Sequence, residues 1–311
     1  MEQDFQPDLS IVTATFNGLE WTRTYLETLR KTLDPGVRWE CVLVDDGSTD
    51  GTREYIGSLA APFRVLYNQS NRGFAGANNR GAREAKAPLL LFLNNDLRME
   101  GDWLAPMMRE IRAEKVGCVG NVQRAASHGR IDHAGVIFNP VGIPEHYGQD
   151  YPSLWLRGSR GFRAVTAACW LIRRELFLER GGFDEGFSNG LEDIDFCLRL
   201  GQAGYRHRVA LESQVFHRVS ASPGRKDREL NNQRRFLERW GAQTRAWGRQ
   251  DWPMHYIRRN LRRPWRLNGP KTLQALVRIC GFRRQDPPAW AVERISSLEA
   301  AFRQLEKKDP A

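Results

Sequence analysis

Residues 89–96 read LLLFLNND: five apolar side chains without a break, then two asparagines and an aspartate. An apolar run with no polar alternation is the pattern of a strand buried on both faces of a parallel sheet. Working outward, Leu9–Thr15 (LSIVTAT), Trp39–Val44 (WECVLV) and Phe63–Tyr67 read as further strands upstream. Between the first two, Leu19, Leu26, Leu29 and Leu33 recur at helical spacing, with Thr22 completing the stripe. Asp50–Ser58 reads as a short helix and Phe74–Ala85 as a helix of small residues. Downstream, Gly101–Arg112 is expected to be helical and Val116–Gly120 a strand. Repeated β-α units joined by short loops predict an α/β chain with one Rossmann-like, doubly wound, mostly parallel sheet flanked by helices.

The rhythm breaks over Asn121–Arg163, where Gly, Pro, His and Tyr are frequent. This segment reads as an excursion covering one side of a site, where acceptor selectivity would lie. Ala164–Ile172 is expected to resume as a buried strand, Glu175–Arg180 as a helical turn and Leu191–Leu200 as a helix. Arg206–Ala210 and Ser213–His217 are expected to be two short strands. Beyond Pro223 the chain reads as helical. The expected organisation is a main domain over 1–222, split into a nucleotide-binding half (1–120) and an acceptor or catalytic half (121–222), followed by a basic, Trp-rich helical extension over 223–311.

The 311 residues are 41% hydrophobic and 27% charged, which excludes a disordered, collagen-like or disulfide-scaffold chain. No apolar run approaches the roughly 20 residues of a membrane-spanning helix. The start, MEQDFQPDLS, lacks the order of a signal peptide. Five scattered cysteines (Cys41, Cys118, Cys169, Cys197, Cys280) read as reduced core thiols of a cytoplasmic protein. The net charge is +10, yet residues 223–285 carry 17 Lys and Arg against 4 Asp and Glu. The positive charge therefore belongs to the extension, beside Trp240, Trp247, Trp252 and Trp265.

Ligands of an open parallel sheet bind outside the carboxyl ends of its strands. Polar residues stand there after three strands: Thr15-Phe16-Asn17, Asp45-Asp46-Gly47-Ser48 and Asn94-Asn95-Asp96. No G-x-G-x-x-G follows the first strand and no P-loop motif occurs, which disfavours a dinucleotide or P-loop site.

Six stretches carry a resemblance: IVTATFNG (11–18), VLVDDGSTDGT (42–52), NQSNRGFAGANNRGAREA (68–85), LLLFLNNDL (89–97), GGFDEGF (181–187) and GLEDIDFCLRL (190–200). In this order, over about 200 residues, the sequence resembles family 2 glycosyltransferases of the GT-A fold, in the rhamnosyl- and galactofuranosyl-transferase-like subgroup. The basic extension lies outside the resemblance.

A carboxylate at Asp46, between a strand and a glycine turn, can accept the imide N–H of uracil or thymine. The alternative for Asp46, and equally for Asp45, is turn chemistry; Asp50 reads as a helix cap. Arg72 can meet a diphosphate, with Gly73 and Gly76 allowing close backbone approach. Tight helix–sheet packing accounts for Ala75 and Ala77 but poorly for Asn78 and Asn79. Thr15, Phe16, Asn17, Asp46, Arg72, Gly73, Asn78 and Asn95 make up the expected nucleotide-sugar site. Asn94-Asn95-Asp96 occupies the position of the family's D-x-D motif, which implies Mg²⁺ or Mn²⁺ held by Asp96. Asn94 departs from that motif. His217, ending the apolar stretch QVFH, falls where related enzymes place a metal-binding histidine; the alternative is a structural role. His128, His133, His146, His207 and His255 have no such support.

In NGLEDIDFCLR, Asn189 and Glu192 have capping-box spacing, which offers Glu192 a structural task beside its place in the catalytic pair. Asp193 falls in the first helical turn, where the dipole is expected to hold its pKa low, as a general base requires. Asp195 and Arg199, at i and i+4, are expected to pair on the helix surface. The resemblance implies an inverting, metal-dependent transfer from a nucleoside diphosphate sugar, with dTDP-rhamnose or a UDP-sugar favoured. The acceptor would be a hydroxyl of a cell-envelope glycan or lipid-linked acceptor. A glycan-binding pseudoenzyme of the same fold and, through the basic tail, a nucleic-acid-binding protein are the competing readings; nucleic acid is not the expected partner. The tail over 223–285 also suits an anionic membrane surface at the inner face of the cell membrane; a solvated extension or an oligomer contact is its alternative.

Overall fold

The structure, a computed structural model, describes residues 6–149, 151, 158–218, 225–261, 263–282 and 286–308. The expected boundary at 222/223, and Arg262 in the basic run, lie outside them. Its first part alternates as the sequence predicts: β1 (Leu9–Thr15), α1 (Leu19–Thr32), β2 (Trp39–Asp45), α2 (Thr52–Gly57), β3 (Phe63–Tyr67), α3 (Gly73–Glu84) and β4 (Leu89–Leu93). Next come β5 (Leu97–Met99), α4 (Leu104–Glu110) and β6 (Val116–Ala125). The excursion holds β7 (Ile131–His133), β8 (Val136–Phe138), β9 (Pro144–His146) and β10 (Ser159–Phe162). The chain continues through β11 (Cys169–Arg173), α5 (Arg174–Glu179), α6 (Glu192–Gln202) and β12 (Arg206–His217) to three helices, α7 (Arg225–Asn260), α8 (Gly269–Ile279) and α9 (Ala289–Lys308).

The main sheet runs β10-β12-β6-β11-β4-β1-β2-β3, with β5 paired to β12 and β7 to β6. β4, β1, β2 and β3 are mutually parallel, whereas β11 lies antiparallel between β4 and β6. β1 has β2 on one side and β4 on the other, so strand order reverses beside it. That reversal opens a crevice at the carboxyl ends of β1 and β4, the position where such sheets bind ligands.

The unbroken apolar run of β4 is explained by the two layers it separates. On one face Phe92 meets Trp170, Phe177 and Phe183 with ring centroids 4.9–6.0 Å apart. On the other, Leu91 and Leu93 join Tyr25, Leu26 and Leu29 of α1 and Met107 of α4 in a second buried cluster. The stripe predicted for α1 is the stripe buried, through Thr22, Leu26 and Leu29.

Three local expectations change. Ala164, Val165, Ala167 and Ala168 are buried, but the stretch is not strand; β11 starts only at Cys169. The small residues before it turn so that their backbone groups serve the site, as described below. The two strands expected after Arg206 are one, β12, whose pairing with β6 is irregular between Ala210 and Gln214. Of the cysteines, four are buried and Cys280 is exposed, so it is not a core thiol.

The extension does not stand apart. Phe236 and Trp240 of α7 and Leu298 of α9 belong to the same buried cluster as β4 and β6. Trp252 is 4% exposed and packs on Trp290 and Tyr256, so with Trp240 it serves the core and not a surface. Trp265, 77% exposed, is the contrast.

Candidate active site

The three polar strand ends meet through one closed circuit of hydrogen bonds. It starts at Asn17, held in the left-handed region (φ 58°) after β1. Its amide donates to Ser48 Oγ at 2.9 Å, and Thr49 N donates to its Oδ1 at 2.7 Å, which joins the β1 and β2 loops. Asp50 caps α1 through the Gly18 and Leu19 amides and bonds Thr52 at the start of α2. The Arg72 and Gly73 amides, at the start of α3, donate to the Asp46 carboxylate at 2.9–3.0 Å. From there Phe74 N donates to Asn189 Oδ1 at 2.6 Å, tying α3 to the loop before α6. Gly73 must be glycine: its φ is 72°, and a Cβ would stand 3.1 Å from that Asn189 oxygen.

The circuit continues through the acidic pair. Gly190 N donates to Glu192 Oε2 at 2.6 Å, and Ala167 N donates to Asp193 Oδ2 at 2.9 Å. The next carbonyl, Ala168 O, accepts from Asn94 N at 2.9 Å. Asn95 Nδ2 then donates to Thr22 Oγ1 at 2.9 Å and reaches Asn17 O at 3.5 Å, which closes the circle across the β1/β4 crevice. Thr15, fully buried, bonds Val44 O beneath this rim, whereas Phe16 is exposed upon it.

Asp96 joins the rim from the turn just before β5. Antiparallel pairing of β5 with β12 sets Leu97 opposite His217, and brings His217 Nε2 to 3.3 Å from Asp96 Oδ1. That oxygen is buried and makes no hydrogen bond. A buried carboxylate oxygen without a donor is costly unless something positive meets it. An anionic oxygen beside an imidazole nitrogen is a donor set that suits a divalent cation. On β7, paired to β6, His133 packs against His146; burial, with the charges of His146 and His217 added, holds its pKa well below the ordinary 6.5. The excursion meets His217 through the backbone, where Ala125 of β6 pairs with it and Ala126 N donates to its carbonyl.

Four expectations need correction. Asp46 is not left free for a nucleobase: beyond the two amides, Asn68 Nδ2 donates to it at 2.6 Å, and it is 3% exposed. Three donors occupy both oxygens, two of them the amides that open α3. Asn189 and Glu192 form no capping box, because Leu191 (φ 75°) precedes α6 and the Asn189 side chain serves α3 instead. Asp193 is not held low by the helix dipole. Burial raises its pKa above the ordinary 3.8, despite bonds from Ala167, Thr166 and Ile194. Asp195 does pair with Arg199 at 2.9 Å, but not at a surface: it is fully buried and also takes Arg239 Nη1 and Trp240 Nε1 at 2.6 and 2.9 Å.

The acidic pair is divided by environment. Burial, then the neighbouring Asp193 charge, push Glu192 up to about 8. Asp193 has more donors to support an anion, so the pair's proton resides on Glu192 and the ionised member is Asp193. The remaining candidates are mostly tied down. Arg72 pairs with Glu185 at 3.0 Å on the surface. Asn78 is buried and bonds Phe74 O within its own helix. Asn79 exchanges bonds with the Phe183 backbone at 2.9 Å, which is the packing role that the sequence reading disfavoured.

A cavity of about 360 Å³ opens beside the Asp46 loop, lined by Tyr67, Asn68, Gln69, Ser70, Arg72 and Arg80. The larger one, about 500 Å³, follows the α6–α7 seam at Arg180, Arg199 and Arg239 and contains no rim residue. Cys118, Cys197 and His207 also cluster. There His207 Nδ1 accepts from Cys118 N and Nε2 donates to Cys197 O, so neither nitrogen is available to a metal.

Residues 10–181 match the family model described as glycosyl transferase family 2. The chain belongs to glycosyltransferase family 2. It is 32% identical over 230 residues to the O-antigen biosynthesis protein RfbC of Myxococcus xanthus, covering 70% of this chain and 18% of that protein. It is 26% identical over 241 residues to N-acetylglucosaminyl-diphospho-decaprenol L-rhamnosyltransferase of Mycobacterium tuberculosis, covering 70% of this chain and 78% of that one. The chain spans 18–27% of the length of the first curated relatives it matches. Its fold is GT-A: the structure of GalNAc-T7 with UDP, GalNAc and Mn²⁺ superposes with a TM-score of 0.63 at 19% identity, covering 95% of this chain and 57% of that one.

The sequence does not single out Asn68, Thr166 or Ala167 as parts of this circuit, and it points Asn189 at α6 and not at α3. Asn68 was within reach, since it follows β3 as the other polar residues follow their strands. Ala167 carries no polar signature, because the site uses its backbone amide, and the Thr166 hydroxyl that also bonds Asp193 sits in a stretch that reads as strand.

Proposed function

We propose that the chain is an inverting glycosyltransferase that moves a sugar from a nucleoside diphosphate sugar to a hydroxyl of a cell-envelope glycan or lipid-linked acceptor. The observation carrying this reading is the closed circuit, with Asp193 on its wall and the Asp96–His217 pair beside the β4 tip. Residues 1–120 supply the donor half and 121–222 the acceptor half. The donor lies over the β1/β4 crevice, near Asn17, Asn95 and the start of α3. Asp46 acts on it indirectly, by fixing the Arg72 and Gly73 backbone. Asp96 and His217 would hold Mg²⁺ or Mn²⁺, which neutralises charge developing on the leaving diphosphate.

Asp193 takes the proton of the acceptor hydroxyl. The hydroxyl oxygen forms its bond to the anomeric carbon as the bond to the diphosphate oxygen breaks, and the nucleoside diphosphate leaves with that electron pair. One displacement inverts the anomeric centre and needs no enzyme nucleophile. Glu192 stays protonated and keeps a second negative charge away from the base. The names of RfbC and of the mycobacterial rhamnosyltransferase support an envelope glycan, and the latter supports rhamnose and a polyprenyl carrier. GalNAc-T7 with UDP and Mn²⁺ supports the metal. We assign dTDP-rhamnose or a UDP-sugar as donor and the cytoplasm as the place of reaction.

A thermal-shift screen of nucleoside diphosphates and their sugars, with Mn²⁺ or Mg²⁺, tests the proposal. Stabilisation by one nucleotide class that requires the metal is expected; none by any pair would refute it.

A further inference from the structure

The amphipathic pattern of α8 is inside out. Its buried positions are Ala275 and Arg278, and the Arg278 guanidinium donates to the Gln274 and Asp286 carbonyls. Its outward stripe, at spacings of three and four, is Leu273, Leu276 and Cys280, with the two leucines 64% and 47% exposed. Beyond each end of the helix, Trp265 is 77% and Phe282 66% exposed. A helix that sends leucines to water while burying an arginine has an apolar face awaiting a surface.

Charge identifies that surface. Residues 252–285 hold nine Lys and Arg and no Asp or Glu. A second copy of the chain would set like charges against each other, whereas anionic lipid headgroups neutralise them and admit the apolar stripe beneath. No described helix is long and apolar enough to cross a membrane, so the geometry is that of a helix lying in the interface. α8 packs on α7, and α7 is fastened to the excursion through Tyr151 and His255, 2.9 Å apart. The face is thus joined to the segment beside His217.

We infer that α8, with Trp265 and Phe282, docks on an anionic bilayer surface: Leu273 and Leu276 enter the headgroup layer while Arg258, Arg259, Arg266 and Lys271 meet lipid phosphates. The inference stands without the donor assignment, since it needs neither nucleotide nor turnover. Each basic residue near such a surface strengthens binding roughly fivefold.

Flotation of the full chain with phosphatidylglycerol-rich vesicles, against pure phosphatidylcholine vesicles, tests this. The chain is expected to float with the anionic vesicles only. Leu273→Glu with Leu276→Glu should lower the bound fraction by about tenfold or more. A melting curve establishes whether that variant folds. Independently, anionic vesicles should shift the tryptophan emission of the wild type to the blue, and Trp265→Phe should lose most of that shift. A wild type left behind by anionic vesicles, equal flotation of the folded double variant, or an unchanged shift in Trp265→Phe would overturn the inference. So would a dimer by light scattering that the double variant dissociates, which assigns the face to a second copy.

Discussion

Replacing Glu192 by Gln isolates the division of labour in the acidic pair. Glutamine keeps the shape and can still accept from Gly190 N, but it cannot ionise. In the unfolded chain Glu192 titrates near its ordinary 4.5; in the folded chain burial and the Asp193 charge push it up to about 8. Below the lower value both states hold the proton, and the stability contribution is complete. Between the two values the folded state keeps a proton that the unfolded state releases, so stability is lost as pH rises through the folded value. At roughly 1.4 kcal/mol per unit, the window has a ceiling of about 5 kcal/mol. Urea denaturation should therefore find wild type and Glu192→Gln within ~1 kcal/mol at about pH 5, and the variant more stable by ~2–4 kcal/mol at about pH 9. Parallel stabilities across that range would show that Glu192 ionises as readily folded as unfolded, and the assignment of the proton would fall. Transfer by this variant should stay within about tenfold of wild type, because the proposed base, Asp193, is left in place.

The other expectations concern the metal pair and the scaffold. Asp96→Ala and His217→Ala should each weaken Mn²⁺-dependent nucleotide binding by roughly thirtyfold or more, measured calorimetrically, with little effect on metal-free binding. Asn189→Gly keeps the left-handed backbone (φ 54°) but removes the cap on Phe74 N, and should cost about 1 kcal/mol in urea denaturation. Asp195→Ala leaves Arg199, Arg239 and the Trp240 N–H facing an empty site, and should cost ~3–5 kcal/mol by the same measurement.

Much of this architecture is legible in the chain because its physics is local. The α1 stripe, the solid apolar run of β4 and the polar strand ends each follow from periodicity or position, and each appears where the pattern puts it. What the sequence hides is partnership across long separations. Asn189 looks like the cap of the helix it precedes, yet its oxygen serves Phe74, 115 residues away. Asp46 looks open to a ligand until Asn68 and the α3 amides fill it. Asp193 looks like a dipole-stabilised acid until the turn at Thr166-Ala167 covers it, and desolvation outweighs the bonds it receives. The same covering turn makes Ala164–Ala168 read as strand, since small apolar residues are buried whether they pair in a sheet or line a site. In the extension, composition alone set four tryptophans on one footing, and packing separates Trp240 and Trp252 from Trp265.

Asp193 is proposed to remove the acceptor proton on a rim that also grips an activated sugar. Single-turnover transfer or donor hydrolysis, measured with nucleotide affinity for wild type and Asp193→Asn in Mn²⁺, tests it most directly. Affinity within about twofold and a rate lower by about 10³ or more are expected. Near-normal turnover in Asp193→Asn would contradict it.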